Sequence, residues 1–257
     1  MSRLKSKKII KFAFLICLLI ITVLIFCKSR FFQAEDLLQG FKTKFEQIYN
    51  SENPFKDGEK LMFRVKLGFL TIGRSQLIFQ GKTKLDEKEV YLIKFTTKTT
   101  SFNDTETIYA ELDSFLPLKV ERDIRMLGKK INITEEYNQE KKMVTITRTE
   151  GAKTTKEIIK SDSQLNSILC LIYFYRLPGN IELGKTLSIN LPLKKIRLKV
   201  KDIQELDVPA GEFDAFLLES EPKGYNFWFD TSISRLPLSI DGAIKFGNAR
   251  LLLEDFN

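Results

Sequence analysis

Histidine is absent from the 257 residues of this chain. That absence excludes a Ser-His-Asp triad, a Cys-His nucleophile pair, histidine-ligated zinc and a histidine pH switch. Cysteine is nearly as scarce: Cys17 and Cys27 lie in an apolar N-terminal run, and Cys170 is alone in the rest of the chain. The part beyond that run can therefore form neither an internal disulfide nor a cysteine-rich metal site. The sequence predicts no catalytic residues, no metal and no cofactor.

An excess of basic charge is confined to the N-terminus. The formal net charge is +8, but residues 1–30 hold seven basic residues and no acid, which leaves 34 basic and 33 acidic residues in 31–257. Nucleic-acid binding requires a clustered surplus of lysine and arginine on the folded surface. The sequence therefore predicts no nucleic-acid partner, and the basicity is typical of a targeting segment.

That targeting segment is residues 1–30, where five basic residues precede the apolar run of residues 12–27 (FAFLICLLIITVLIFC). The run is intermediate in length between a signal-peptide core and a membrane-spanning helix. A signal anchor retained in the membrane through residues 12–27 and a cleaved signal peptide both remain open. Lipidation of Cys27 is disfavoured by the preceding Phe26. In each case the basic flank stays cytoplasmic, so the chain is expected in the cell envelope with its remainder exported.

Two further regions follow. Residues 31–52 are expected to form an amphipathic stalk helix, with apolar residues at helical spacing: Leu37, Leu38, Phe41, Phe45 and Ile48. From residue 53 to 257 the pattern changes to period two, as in Leu61, Phe63 and Val65, which is typical of strands with one buried face. Glycine-containing turns such as 127–130 separate these strands, so most neighbouring strands should be antiparallel.

One helical pattern interrupts the strands. Ser161 or Asp162 is expected to cap a helix running to residue 176, with its apolar stripe formed by Leu165, Ile168, Leu169, Ile172 and Tyr173. Other apolar residues lie off that stripe, so the helix should be buried. The predicted fold class is mainly β: a strongly curved antiparallel sheet, as a half-barrel or open barrel, with one apolar helix packed against it and an N-terminal membrane or signal helix before it.

Several motifs resemble those of the exported bacterial proteins grouped as domain of unknown function family 3108. They occur in order over residues 53–257: NPFKDGEKL (53–61), LGFLTIG (67–73), the helix ending in Arg176-Leu177-Pro178, DVPAGEFD (207–214), and WFD (228–230) followed by RLPL (235–238). The resemblance implies a β-rich envelope protein and brings no established activity. More distantly, the pattern is similar to half-barrel proteins that carry lipids or lipoproteins across the periplasm.

Two apolar groups are candidates for the lining of a groove, because ligand sites are mostly apolar and aromatic. One is the helix stripe with Leu165, Leu169 and Ile172. The other is the only tryptophan and its neighbours, Tyr225, Phe227 and Trp228. Core packing is the ordinary explanation of both groups, and the lining of an apolar groove is the alternative that stays open.

Charged stripes offer two alternatives. Glu121 and Asp123 share one strand face, as a glycosidase pair does, but a solvated face explains them more simply. The lysine-rich stretch 194–201 has Ile196, Leu198 and Val200 on its other face. It is interpreted as a solvated edge, or as a contact for anionic lipid head groups or envelope polymers.

The sequence thus favours a non-enzymatic envelope protein that binds a lipid-like ligand in an apolar groove. Two other functions remain open: a module that docks on another envelope protein through an exposed strand edge, and a hydrolase that uses carboxylates alone.

Overall fold

The computed structural model describes residues 54–242 and 249–257, and residues 53–257 form one compact unit. Fourteen strands and one helix make up the described chain. They are β1 (Lys60–Leu67), β2 (Leu70–Leu85), β3 (Lys88–Thr99), β4 (Phe102–Ala110), β5 (Pro117–Met126), β6 (Lys129–Asn138), β7 (Met143–Glu150), β8 (Lys153–Lys160), α1 (Ile168–Arg176), β9 (Thr186–Leu191), β10 (Lys194–Val208), β11 (Gly211–Glu221), β12 (Asn226–Asp230), β13 (Pro237–Asp241) and β14 (Ala249–Phe256).

All strands belong to one antiparallel sheet that is not closed. The order runs from β8 back to β1, then through β14 back to β9, so β1 pairs with both β2 and β14. Every other pairing joins strands that are consecutive in the chain. The predicted mainly β, antiparallel class is confirmed.

The two edge strands, β8 and β9, come close together. A flat sheet of this size would hold its edges about 60 Å apart at the usual strand spacing. Ser161, directly after β8, donates its N–H to the Lys142 carbonyl at 2.8 Å, and its hydroxyl accepts from Asn190 Nδ2 of β9 at 2.8 Å. The sheet therefore curls into an open barrel.

Helix α1 lies inside this curled sheet. Tyr173 packs with Phe79 and Phe115 at ring-centroid distances of 5.4 and 5.8 Å. Tyr175 packs with Phe229 of β12 at 6.1 Å, on the other half of the sheet. Leu171 and its neighbours on every side of the helix are buried, as an all-round apolar helix requires.

The start of the helix differs from the prediction. Ser167, rather than Ser161 or Asp162, is the N-cap, and its hydroxyl accepts from the Cys170 N–H at 3.2 Å. Leu165 lies before the helix and forms a parallel bridge with Asn190. The expected caps are engaged elsewhere, because Asn190 Nδ2 donates to Ser161 Oγ and to Asp162 Oδ1 at 2.8 and 2.7 Å.

Two Leu-Pro steps begin strands. Pro117 and Pro237 are the first residues of β5 and β13, where a missing N–H costs no ladder bond. Two residues before each proline the backbone has positive φ, +54° at Phe115 and +47° at Arg235. The similar sequence contexts thus correspond to similar turns.

The signal or anchor segment (1–30) and the stalk (31–52) lie outside the described residues. Within the part that the structure describes, no helix has both the length and the apolarity needed to cross a membrane.

Candidate functional site

A groove of about 900 Å³ lies at one end of the sheet, where the turns after β1 and β11 meet Gly242, which follows β13. Its walls come from the middle of β10, the last residues of β11 and β13, and the first residues of β12 and β14. The charged residues lining it are Lys199, Lys201, Lys223, Arg250, Glu219, Glu221 and Asp241. Gly68, in the tip of the β1–β2 hairpin, forms part of the same wall.

Two glycines allow the turns around the groove to touch. Gly242 has φ +83°, and a Cβ there would lie 2.2 Å from the Gly224 carbonyl oxygen. Ser220 fixes the neighbouring turn, since its hydroxyl accepts from the Tyr225 N–H and donates to the Pro222 carbonyl, both at 2.9 Å. A side chain at position 242 would therefore push the two turns apart and alter the groove.

Some of the charged side chains that line the groove have ion-pair partners, and others do not. Arg250 pairs with Asp241 at 2.7 Å, and Lys201 pairs with Glu219 at 2.8 Å. The hydrogen bonds that Arg250 donates to the Asp241 carboxylate raise the pKa of Arg250 above its ordinary value. The third groove acid, Glu221, pairs with Arg197 from outside the lining.

Lys199 and Lys223 are the two remaining charged residues of the groove lining. Among the described residues neither has an ion-pair or hydrogen-bond partner. Two ammonium groups beside neutralised pairs favour binding of an anionic group.

Two predicted site residues lie near this groove. The Tyr225 ring lies under Lys194, whose Nζ is 4.1 Å from the ring centroid. The Arg250 guanidinium lies over the Trp228 ring at 5.1 Å from its centroid. Trp228 itself is buried, and its Nε1–H has no hydrogen-bond partner among the described residues.

The other four predicted site residues lie in the hydrophobic core. Leu165, Leu169, Ile172 and Phe227 are all buried, and Phe227 stacks with Phe229 at 6.2 Å. The structure brings them together as packing groups. Ligand binding against them stays a prediction.

The charged stripes lie where alternation predicts. Ile196, Leu198 and Val200 are buried, whereas Arg197 and Lys199 between them are exposed. Glu121 pairs with Lys119 at 2.7 Å on the outer face. Lys199 and Lys201 of this basic stripe therefore line the groove. The sequence indicated the stripe only as a contact for lipid head groups or polymers.

A second charged group, which sequence reasoning missed, lies on the inner face of the sheet. Arg122 pairs with Asp104 and lies 3.2 Å from Glu106, and Tyr137 donates to Glu135 at 2.5 Å. Burial lowers the pKa of Arg122, but Glu106 and Asp104 more than offset this and raise it.

These inner carboxylates neutralise Arg122 or accept from Tyr137. Within the described chain no group of three or more cysteine, aspartate or glutamate residues is arranged to hold a metal ion. Strand β4 has alternating inward and outward residues, but two of its inward residues are Asp104 and Glu106. Its sequence therefore lacks the apolar alternation that predicts a strand with one buried face.

Burial also sets the chemistry of the remaining nucleophile. It raises the pKa of the Cys170 thiol to about 12, because the thiolate would lose its hydration inside the barrel. At neutral pH this thiol is protonated and inaccessible, so it is a packing group.

Three solved structures are similar to this chain. One is a β-barrel-like protein of domain of unknown function DUF1849 from Brucella abortus, with 10% identity, 78% of this chain and 97% of that chain covered, and a TM-score of 0.46. Another is a Bacteroides fragilis protein described as exported, with a YmcC-like fold, at 6% identity, 80% and 98% coverage and a TM-score of 0.31. The third, described as a lipoprotein from Parabacteroides distasonis, has 10% identity, 80% and 97% coverage and a TM-score of 0.28.

The comparison with curated proteins finds no match. The sequence model of one family does match, over residues 62–254, and that family is described as a protein of unknown function. These residues span β1 to β14 and include the helix and the whole groove lining. The chain belongs to the DUF3108 family.

Proposed function

We propose that this chain is a non-enzymatic cell-envelope protein that binds an anionic, lipid-like amphiphile in the groove at the end of the sheet. The observation that carries the proposal is the pair of lysines, Lys199 and Lys223, which lack acidic partners among the described residues and line a groove beside an apolar hairpin tip. A head group with negative charge fits the lysines. An acyl chain fits the exposed apolar residues next to Gly68.

Exposed apolar residues of the β1–β2 hairpin lie next to this groove, beside its lining residue Gly68. Phe69 and Leu70 follow Gly68 and are both exposed. Their apolar surface faces water in the free protein, and covering it with a hydrocarbon chain contributes roughly 25 cal/mol per Å². The groove thus offers charge attraction and apolar contact side by side, which is the combination that an amphiphile needs.

Support for a non-enzymatic role comes from the available side chains. There is no histidine in the sequence, and the Cys170 thiol is buried with a raised pKa. Lysines and paired carboxylates line the groove, and none of its three acids lacks a cationic partner. This set suits recognition of an anion better than proton transfer, which requires a group poised to change its charge.

The envelope location is part of the proposal. It rests on the basic flank and the apolar run of residues 12–27, which we propose as the export signal and, when retained, the membrane anchor. A lipid-like ligand is abundant in that compartment.

Trp228 provides the test, because it is the only tryptophan and its ring contacts Arg250 of the groove. Residues 53–257 are titrated with lysophosphatidylglycerol below its micelle concentration while tryptophan fluorescence is recorded. We expect a saturable change with the anionic lysolipid and a much weaker one with lysophosphatidylcholine of the same chain length.

The matched variants are Lys199→Glu and Lys156→Glu. Lys199→Glu reverses one of the unpaired groove charges and should weaken binding about tenfold or more. Lys156→Glu makes the same charge change on the exposed strand β8 and should leave binding unchanged. Equal binding by all three proteins, or no saturable change, would refute the groove as the ligand site.

A second function, docking on another envelope protein, is favoured by the β8 edge. Almost all of β8 is exposed, whereas β9 is partly covered by the bridge to Leu165. In the two-residue hairpin of β7 and β8, Lys153, Thr155 and Glu157 bond to β7 and the intervening N–H groups point outward. Ile158→Pro removes one outward N–H, so it should abolish capture of a stoichiometric protein partner and leave the sheet intact.

A further inference from the structure

The turns of an antiparallel meander alternate between the two ends of the sheet, so every second turn lies at the same end. Six described turns lie at the groove end: 66–70, 98–102, 126–130, 150–153, 191–195 and 221–225. We call these residues the lysine rim.

The lysine rim carries a strong positive charge. Its six segments contain eight lysines against two acids, Glu150 and Glu221. The five described turns at the opposite end (85–88, 110–117, 138–143, 208–211 and 230–237) contain six acids and four basic residues. A body that is nearly neutral in total is therefore polarised along the strands.

Some rim lysines have acidic neighbours. Lys129 pairs with Glu150 at 3.5 Å, Lys130 with Asp123 at 3.3 Å and Lys195 with Asp162 at 3.0 Å. All three lysine side chains are more than half exposed, so these pairs are screened by water and are weak. With Asp123 and Asp162 counted beside Glu150 and Glu221, eight lysines still face only four acids.

The rim also carries the most exposed apolar side chains. Phe69, Leu127 and Leu193 are 86%, 80% and 70% exposed, the three highest values among the large apolar residues of the described chain. Each stands at the tip of a different hairpin and is flanked by lysine: Lys66, Lys129 and Lys194. These three tips lie at the same end of the sheet, on turns from both of its halves, and lysines lie beside them.

We propose that the lysine rim docks on the surface of an anionic phospholipid bilayer. Lysines attract the negative surface, and their stems let the ammonium groups remain at head-group level while the apolar tips enter the acyl boundary. A protein partner of ordinary interface composition fits less well, because lysine is depleted in such interfaces. This surface extends beyond the groove and does not require that the groove hold a ligand.

The test is co-sedimentation of residues 53–257 with vesicles, because this unit contains the complete described core. We expect binding to vesicles containing phosphatidylglycerol, loss of that binding at high salt, and little binding to phosphatidylcholine alone. Leu127→Asp with Leu193→Asp should weaken binding about tenfold or more. Neither residue lines the groove, so lysolipid binding should persist in this variant.

Ile158→Asp with Leu183→Asp is the matched control. Both side chains are exposed apolar residues that lie off the rim, and this variant should bind vesicles like the unchanged protein. Circular dichroism confirms that both variants fold. Equal binding to neutral and anionic vesicles, an equal loss in the control, or rim-dependent dimers in sedimentation instead of vesicle binding would overturn the proposal. Loss of lysolipid binding in Lys199→Glu, with vesicle binding retained in the same variant, shows that the groove and the rim act separately.

Discussion

Arg176 and Glu59 form a two-bonded ion pair inside the barrel. The Nη1 and Nη2 groups of Arg176 donate to the two carboxylate oxygens of Glu59 at 2.5 and 2.7 Å. Its Nε donates to the Ser234 carbonyl at 3.1 Å, and its guanidinium lies 5.0 Å from the Phe55 ring centroid. The pair therefore fastens the end of α1 to the start of β1 and to the β12–β13 turn.

This pair should be critical for stability. Glu59→Gln leaves the guanidinium charge of Arg176 buried without its counter-charge, and the Arg176 side chain has no exposed surface. We expect the free energy of unfolding to fall by about 3–5 kcal/mol, measured by urea denaturation of residues 53–257.

Two comparisons control that experiment. Arg197→Gln removes a well-exposed pair with Glu221 and should cost less than about 1 kcal/mol. Glu59→Leu combined with Arg176→Met removes both charges and should recover much of the loss. Similar losses for Arg197→Gln and Glu59→Gln would contradict the assigned role of burial.

Gln139 joins the β6–β7 turn to the segment before the helix. Its Nε2 donates to the carbonyls of Pro117 and Leu165 at 2.7 and 2.9 Å, and its Oε1 accepts from the Leu165 N–H at 3.1 Å. Gln139→Leu leaves these backbone groups without partners, so we expect a loss of about 2–3 kcal/mol in urea unfolding. A loss below 0.5 kcal/mol, on the order of a surface substitution, would show that the bonds do not hold this segment.

Tyr173 carries a buried polar group whose removal should not destabilise the domain. Its hydroxyl is buried and has no hydrogen-bond partner among the described residues. Tyr173→Phe removes this polar atom and keeps the ring that packs with Phe79 and Phe115. We expect the melting temperature to stay equal or rise, with a gain of up to about 1 kcal/mol. A clear loss would mean that the hydroxyl is hydrogen-bonded in solution.

Alkaline pH should unfold the domain. Burial raises the pKa of Tyr137, Tyr173 and Tyr175 above the ordinary value near 10. Above about pH 10 the unfolded chain loses these protons while the folded chain keeps them, so the free energy of unfolding falls as pH rises and is unaffected well below pH 9. The part of the tyrosinate absorbance that comes from these three tyrosines should therefore appear in step with loss of circular dichroism. Full ionisation in a folded protein would contradict this.

The Cys170 thiol should not react with thiol reagents in the native state. It is fully buried, and its pKa is raised to about 12. In residues 53–257, which contain no other cysteine, we expect a maleimide reagent to label it only on unfolding in urea. Rapid labelling of folded protein at neutral pH would show that the barrel opens readily between β8 and β9.

The sequence predicted most of the fold because alternation marks strands that bury one face. β1 shows this with Leu61, Phe63 and Val65, all of which are buried. Four strands were not predicted: β2, β4, β8 and β9. The patterns of β4 and β8 are polar, because Asp104 and Glu106 point inward in β4 and β8 is an exposed edge. Such strands are specified by their neighbours through pairing, and a single sequence does not show those neighbours.

The start of α1 was misplaced for a related reason. Ser161 and Asp162 have good capping chemistry, but Asn190 from a distant strand binds both side chains. The Glu59–Arg176 pair was equally hidden, since 117 residues separate its members. Local patterns carry no information on such distant partners.

The sequence predicted only part of the candidate groove. The alternation of 194–201 indicated a basic face, and Lys199 and Lys201 lie on it. Lys223 and Arg250 come from other turns and strands, and only the sheet order brings them to the same place.

Native mass spectrometry tests the central claim most directly. Residues 53–257 are incubated with bacterial envelope lipids and repurified without detergent, beside the Lys199→Glu variant, and both are sprayed intact before lipid extraction. A co-purifying anionic lipid on the unchanged protein, depleted in Lys199→Glu, is the predicted result. A lipid-free mass for the unchanged protein, or equal lipid on both proteins, would contradict binding of an anionic amphiphile at the groove.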